Sequence, residues 1–220
     1  RIAKKMDAIF TVSKNTANDV INIFKVNPKK ISVIYNSSQF FNFKYKNQND
    51  QKDTLIKYSL GKEYILYVGL LALKKNLETL VRAIHHIKSI NLTIPPLILI
   101  GPRYSDSDAG YILGLIEELG LQDHIRYLGK VLPNDLYYIY KRATLFVFPS
   151  VHEGFGIPCL EAMEMGVPLI ASKNSAITEI VGEAGVLIEN YQSPNAWADA
   201  IINVYNDVML RKNLSRMGLN

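Results

Sequence analysis

Short apolar runs alternate with helically spaced apolar positions along almost the whole chain. Eight runs have the length and composition of strands: Ala8–Val12, Ile31–Tyr35, Tyr64–Val68, Leu97–Ile100, Ile125–Leu128, Leu145–Phe148, Leu169–Ala171 and Val186–Ile188. Between them, apolar residues recur three and four positions apart, as on one face of a helix. Leu77, Leu80, Val81, Ile84 and Ile87 form one stripe, and Ile112, Leu115, Ile116 and Leu119 form a second, stopped by Gly120. Leu160, Met163 and Val167 form a third. Trp197, Ala200, Ile201, Val204 and Tyr205 form a fourth, with Ser193 placed to cap it and Pro194 at its first helical position. Short apolar strands alternating with helices require a parallel sheet covered on both faces. The pattern predicts a doubly wound, Rossmann-like α/β domain.

One segment breaks the rhythm. Residues 39–62 are rich in Asn, Lys, Gln and Asp with little apolar periodicity, which predicts a linker or long surface loop. It separates a short unit, residues 1–38, from the main domain, residues 63–220. Two strands and one helix are too few to be stable alone. The short unit is therefore either an appendage of the main domain or the tail of another domain.

Composition narrows the class. A chain of 220 residues, 48% apolar, holds one globular domain or one domain and part of another. No run approaches the roughly 20 apolar residues of a membrane-spanning helix, and no cleavable secretory signal is visible. Cys159 is the single cysteine, so an internal disulfide or a cysteine-based metal site is excluded and a reducing cytoplasm is expected. The net charge of +5 suits anionic partners, or a merely basic surface. The basic residues are scattered and form no nucleic-acid stripe.

In an open α/β sheet, ligands bind beyond the carboxyl ends of the strands, so polar and glycine-rich residues just after each run are the candidates. After Leu145–Phe148 come Glu153, Gly154, Phe155, Gly156 and Ile157, with Pro158 placed to start a helix. Two glycines let backbone amides face a ligand, and a helix N-terminus favours anions. Glu161 is expected in the first turn of that helix, reaching back toward the mouth. Two carboxylates beside an anion seat suit a ligand with both phosphates and hydroxyls; equally, Glu161 could serve only the helix dipole and Glu153 be a solvated charge. After Tyr64–Val68 come Gly69 and then Lys74 and Lys75 at a helix start, where cations are unfavourable unless an anion offsets them. Gly101 and Arg103 follow the fourth run, and Gly129, Lys130 and Val131 follow the fifth; both are readable as plain turns.

The segment PSVHEGFGIPCLEAMEMGVPLIASKNSAITEIVGEAGVLI, residues 149–188, resembles the signature region of glycosyltransferase family 4. YVGLLALKKNLETLVRAI and LGKVLPNDLYYIYKRATLFVFPS resemble the segments that open that family's C-terminal domain and lead into the signature. DAIFTVSKNTANDVINIFKV and ISVIYNSS resemble the end of its N-terminal domain and the crossover out of it. The resemblance implies one half of a two-domain GT-B enzyme, with residues 1–38 as the remnant of the N-terminal, acceptor-binding domain. It implies retaining transfer of a sugar from a nucleoside-diphosphate sugar, GDP- or UDP-linked, with no cofactor or metal. By the same resemblance Lys75 binds the donor diphosphate and Glu161 holds the ribose hydroxyls. Glu153 lies near the donor sugar, and the amides of Gly154 to Ile157 contact sugar and phosphate. Lys75 and Glu153 are the catalytic candidates. Gly69, Lys74, Gly101, Arg103, Lys130 and Val131 complete the donor-binding set, while Glu179 matches a further acidic position without a secure role. Front-face attack is the usual proposal in the family, so Glu153 is not read as a covalent nucleophile.

Leu70 stands where many members carry Arg, Leu73 where Pro is frequent, and His152 where Tyr is common. Lys74 or Arg103 is the candidate replacement for the missing cation. The KKN form of the lysine segment resembles mannosyltransferase-like members of surface polysaccharide assembly. This favours GDP-mannose as donor, a saccharide or lipid-linked saccharide as acceptor, and a cytoplasmic location with peripheral membrane contact. A UDP-sugar epimerase of the same architecture and a non-catalytic nucleotide- or nucleic-acid-binding module are the alternatives; a nicotinamide enzyme lacks its G-x-G-x-x-G. With the acceptor site and any N-terminal-domain histidine expected outside these 220 residues, the isolated chain should bind nucleotide weakly and transfer no sugar. Radiolabelled sugar transfer by the isolated chain would contradict that expectation.

Overall fold

The computed structural model describes residues 2–40 and 48–220. β1 (Ile9–Thr11), α1 (Lys14–Phe24) and β2 (Ile31–Val33) form a small parallel unit in which Ile9 lies opposite Ile31. α2 (Gln48–Lys57) follows. The main body then runs β3 (Ile65–Val68), α3 (Leu77–Ser89), β4 (Leu97–Ile100), α4 (Asp106–Glu118), β5 (Ile125–Gly129) and α5 (Pro133–Arg142). It continues through β6 (Leu145–Phe148), α6 (Ile157–Glu164), β7 (Leu169–Ser172), α7 (Ser175–Val181), β8 (Val186–Ile188), α8 (Pro194–Asn206) and α9 (Val208–Gly218).

Six strands form one parallel sheet in the order β5-β4-β3-β6-β7-β8. The doubly wound α/β architecture follows from the apolar runs. Every residue of β3, β4, β6 and β7 is buried, because helices cover both faces. α3 packs on α4 and α8, and α6 packs on α5, α7 and α9, which sorts the helices onto the two faces. Trp197 is fully buried, and its indole N–H donates to the Tyr191 carbonyl at 2.9 Å. Ser193 caps α8 as its sequence predicts, its hydroxyl accepting from the Ala196 amide with Pro194 in the first turn.

The chain winds outward from β3 to β5, returns through α5 to β6, and winds the other way to β8. The strand order therefore reverses between β3 and β6, and their following loops diverge there. β3 and β4 stay close beyond their carboxyl ends: Leu71 donates to the Pro102 carbonyl at 2.9 Å and bridges Arg103. Gly101 makes this approach possible. It has φ +140°, and a Cβ there would lie 1.9 Å from the Gly69 carbonyl oxygen.

The expected linker is corrected in part. Its residues 41–47 lie outside the described residues, but α2 occupies Gln48–Lys57 where a loop was expected. The helix is stabilised by a tertiary partner. Asp135 on α5 accepts from Lys57 Nζ at 2.7 Å and from the Tyr58 hydroxyl at 2.8 Å, and Thr54 is buried beside it. Arg126 then fixes the exit, donating to the carbonyls of Ser59 and Tyr58. Among the described residues no helix is long and apolar enough to cross a membrane.

The Gly101 contact makes a quantitative prediction. Gly101→Ala should destabilise the protein by at least about 2 kcal/mol, through both the backbone conformation and the clash. Urea unfolding monitored through Trp197 fluorescence measures it; an unchanged midpoint would contradict the close approach.

Candidate functional site

The site gathers where β3 and β6 part. After β3 the chain forms a 3-10 turn, Leu73–Lys75, and Asn76, at φ 57°, starts α3. The turn is pinned by the Leu73 amide, which donates to Asp108 on α4 at 2.9 Å, and by Asn76, whose side chain donates to the Tyr191 carbonyl at 2.8 Å. After β6, the loop carrying Glu153 leads to Gly156 at φ +102°, a conformation suited to glycine, and then into α6 with Pro158 in its first turn. Lys75 and Glu153 meet across the gap at 2.5 Å, with only 14% and 17% of their side chains exposed. At the start of α6, Pro158 has no N–H and the amides of Cys159 and Leu160 donate back to the Gly156 carbonyl, which leaves the Ile157 amide to join cation and carboxylate at the crevice.

Beside it lies a cavity of about 370 Å³ at the carboxyl ends of β3, β4 and β5. Gly69, Gly101, Lys130 and Val131 line it together with Leu70 and Gln39. Leu70 gives this wall an apolar side chain. The structure thus brings Gly69, Gly101, Lys130 and Val131 together, and Lys75 with Glu153. It does not bring Lys74 or Arg103 into the ion pair. Lys74 Nζ lies 4.3 Å from the ring centre of Tyr104, and Arg103 is exposed after β4. Gly154 and Ile157 are exposed, while Phe155 is buried and stacked obliquely on Tyr35 at 6.1 Å.

Glu161 departs from its expected setting. It is the fifth residue of α6, in the second turn rather than the first, and only 3% exposed. Burial pushes its carboxyl above the ordinary value, with hydrogen bonds from Tyr140 and Gln39 opposing that rise. Gln39 Nε2 donates to its Oε1 at 2.8 Å.

Several residues here escaped the sequence reading. The Glu153 amide donates to Ser175 Oγ at 3.0 Å, and Asn174 donates to the Ser150 carbonyl at 3.0 Å, so the turn after β7 holds the signature loop. Asn174 and Ser175 follow a strand as the other candidates do, and the same search at β7 would have found them. The small N-terminal unit clamps the loop from its other side: the hydroxyls of Ser13 and Thr16 donate to the Gly154 carbonyl at 2.8 and 3.1 Å. Glu179 is the anchor of this contact. It accepts from the amides of Lys14 and Asn15 at 3.0 and 3.1 Å and from the Tyr35 hydroxyl at 2.6 Å, binding the start of α1 onto α7. Burial alone would raise its carboxyl, but these hydrogen bonds outweigh burial and hold it below the ordinary value.

A family model described as Glycosyl transferases group 1 matches residues 48–219. The O-antigen chain mannosyltransferase B of Escherichia coli is 34% identical over 184 residues, which cover 82% of this chain and 47% of that protein. The O-antigen chain mannosyltransferase RfbU of Salmonella typhimurium is 29% identical over 201 residues, covering 91% of this chain and 52% of that one. The chain spans about half the length of these two relatives. Among solved structures, Anabaena Alr3699/HepE in complex with UDP and glucose superposes with a TM-score of 0.84 at 19% identity, over 99% of this chain and 59% of the other.

The Glu179 anchor predicts a pH dependence. Because its folded value is lowered, its contribution is fully present above the unfolded value of 4.5 and is lost as pH falls through the folded value. Glu179→Gln should cost roughly 1–2 kcal/mol at pH 7, and the gap to the unsubstituted protein should close as pH falls below 4.5. Denaturant titrations at pH 7 and near pH 3 measure it; a gap independent of pH would contradict the anchor.

Proposed function

The chain belongs to the group 1 glycosyl transferases, with an α/β sheet of the kind found in one half of a GT-B enzyme, and from this premise we propose that its crevice seats a nucleoside-diphosphate sugar. The observation that carries the reading is the meeting of Lys75 and Glu153 at the strand-order reversal, in front of the start of α6. In the proposed complex the diphosphate lies over that helix start and takes Lys75 from Glu153. The base enters the cavity lined by Leu70, Lys130 and Val131, and Glu161 receives the ribose hydroxyls.

Catalysis would then be electrostatic. As the bond between the anomeric carbon and the diphosphate oxygen breaks, negative charge grows on the departing diphosphate. Lys75 and the Ile157 amide at the start of α6 are fixed in place before this happens, so stabilising the charge requires little reorganisation. Glu153, released from Lys75, faces the sugar as a hydrogen-bond acceptor for its hydroxyls. The acceptor hydroxyl attacks from the face the diphosphate leaves and passes its proton to the departing phosphate oxygen, so the new glycosidic bond retains configuration. The acceptor, a saccharide or lipid-linked saccharide at the inner face of the membrane, would bind against a partner domain joined through residues 1–38.

The two O-antigen mannosyltransferase relatives support mannose as the sugar, and GDP as its carrier rests on the resemblance of the KKN segment to mannosyltransferase-like members. The Anabaena complex, which holds UDP, supports UDP as the second reading. A thermal-shift panel of GDP, UDP, ADP and their sugars distinguishes them through the stabilisation that binding confers. The bound nucleotide should lose roughly tenfold or more in affinity with Lys75→Ala, the scale of a charge-assisted hydrogen bond to phosphate. Equal affinity in the variant would sink the proposed seat, and salt-sensitive binding to DNA instead would favour a nucleic-acid module.

A further inference from the structure

A carboxylate that is to receive ribose hydroxyls has to be reachable, yet Glu161 is 3% exposed. Among the described residues, two side chains hydrogen-bond it. Tyr140 is fully buried in the core, packed against Phe40 and Phe146, and cannot leave without opening the α5–α6 contact. Gln39 is exposed, lines the apolar cavity, and donates its amide N–H to Glu161 Oε1 at 2.8 Å. A ribose hydroxyl on that oxygen would donate in the same way. Of these two partners, Gln39 is the one a ligand can displace.

The backbone on either side of Gln39 is fixed. Ser38 is buried and its hydroxyl donates to Glu164 on α6, while it accepts from the Phe40 amide at 2.9 Å. Phe40 is buried edge-on against Tyr137 and Tyr140, at 5.5 and 5.8 Å between ring centres. With both neighbours anchored, the Gln39 side chain can swing toward solvent by rotation about its own bonds, without moving the segment that bears it.

We propose that Gln39 is an internal stand-in for a ribose hydroxyl: its amide occupies Glu161, and a nucleotide binds by displacing it. The inference rests on the proposed nucleotide seat and adds the residue that competes for it. The competing contact lowers the apparent affinity for any ligand that must displace it, and removing the competitor raises that affinity. The effect belongs to the hydroxyls, since a nucleotide without them leaves Glu161 to Gln39.

Isothermal titration of the 220-residue chain with GDP and UDP, and with the 2′,3′-dideoxy form of whichever binds, tests this. Gln39→Ala should bind the ribonucleotide roughly 3- to 10-fold tighter, the scale of one net hydrogen bond, and the dideoxynucleotide with unchanged affinity. Weaker or equal ribonucleotide binding overturns the proposal, as does an equal gain for both forms, which would mean a purely steric block. The nucleotide seat is judged separately in Gln39→Ala, where no competitor masks the ribose. If this variant binds both forms equally, Glu161 does not hold the ribose; if it prefers the ribonucleotide by no more than the unsubstituted chain does, only the stand-in fails. Binding of neither nucleotide by either protein overturns both. Gln39→Ala should melt slightly lower, because it loses this one hydrogen bond to a buried carboxylate, and a single cooperative transition serves as the control for folding.

Discussion

Everything at the site depends on the reversal of strand order between β3 and β6. Parallel strands require crossovers, and a sheet that winds outward in both directions from its middle leaves one place where adjacent loops part. Lys75 reaches that gap from the turn after β3, and Glu153 from the loop after β6. Neither could reach the other on a sheet wound in a single direction. Their pairing is largely shielded from water, which makes the lysine's charge more effective toward any anion that replaces the carboxylate.

A loop with two glycines does not hold its shape unaided, and here it is held from two sides. Ser175 and Asn174 fix it to the turn after β7, and Ser13 and Thr16 fix the Gly154 carbonyl to the start of α1. Glu179 secures the second clamp by binding the amides of Lys14 and Asn15. The small N-terminal unit is thus coupled to the signature loop through hydrogen bonds, and any movement of that unit would be felt at Glu153. The crossover makes a second connection, with Ser38 and Phe40 anchored on α5 and α6 and Gln39 between them.

The sheet was legible because fully buried parallel strands are written as uninterrupted apolar runs. The runs Leu97–Ile100 and Leu145–Phe148 coincide with β4 and β6. The helix α2 was not legible, since its sequence is hydrophilic and its stabilising partner, Asp135, lies about eighty residues away. At the site, the positions after β3 and β6 could be found because strand ends mark where polar residues face a ligand. The cover over Glu161 could not: Gln39 is separated from it by 122 residues and lies in a stretch with no periodicity. Likewise, spacing placed Lys74 beside Lys75, whereas packing turns it onto Tyr104.

A crystal structure of the chain with its bound nucleoside diphosphate tests the central claim most directly. The account predicts the diphosphate in the gap between β3 and β6, with Lys75 Nζ on a phosphate oxygen, parted from Glu153, and the Ile157 amide at the start of α6 facing the phosphate. A nucleotide bound elsewhere, or a diphosphate that leaves the Lys75–Glu153 pair intact, would contradict it.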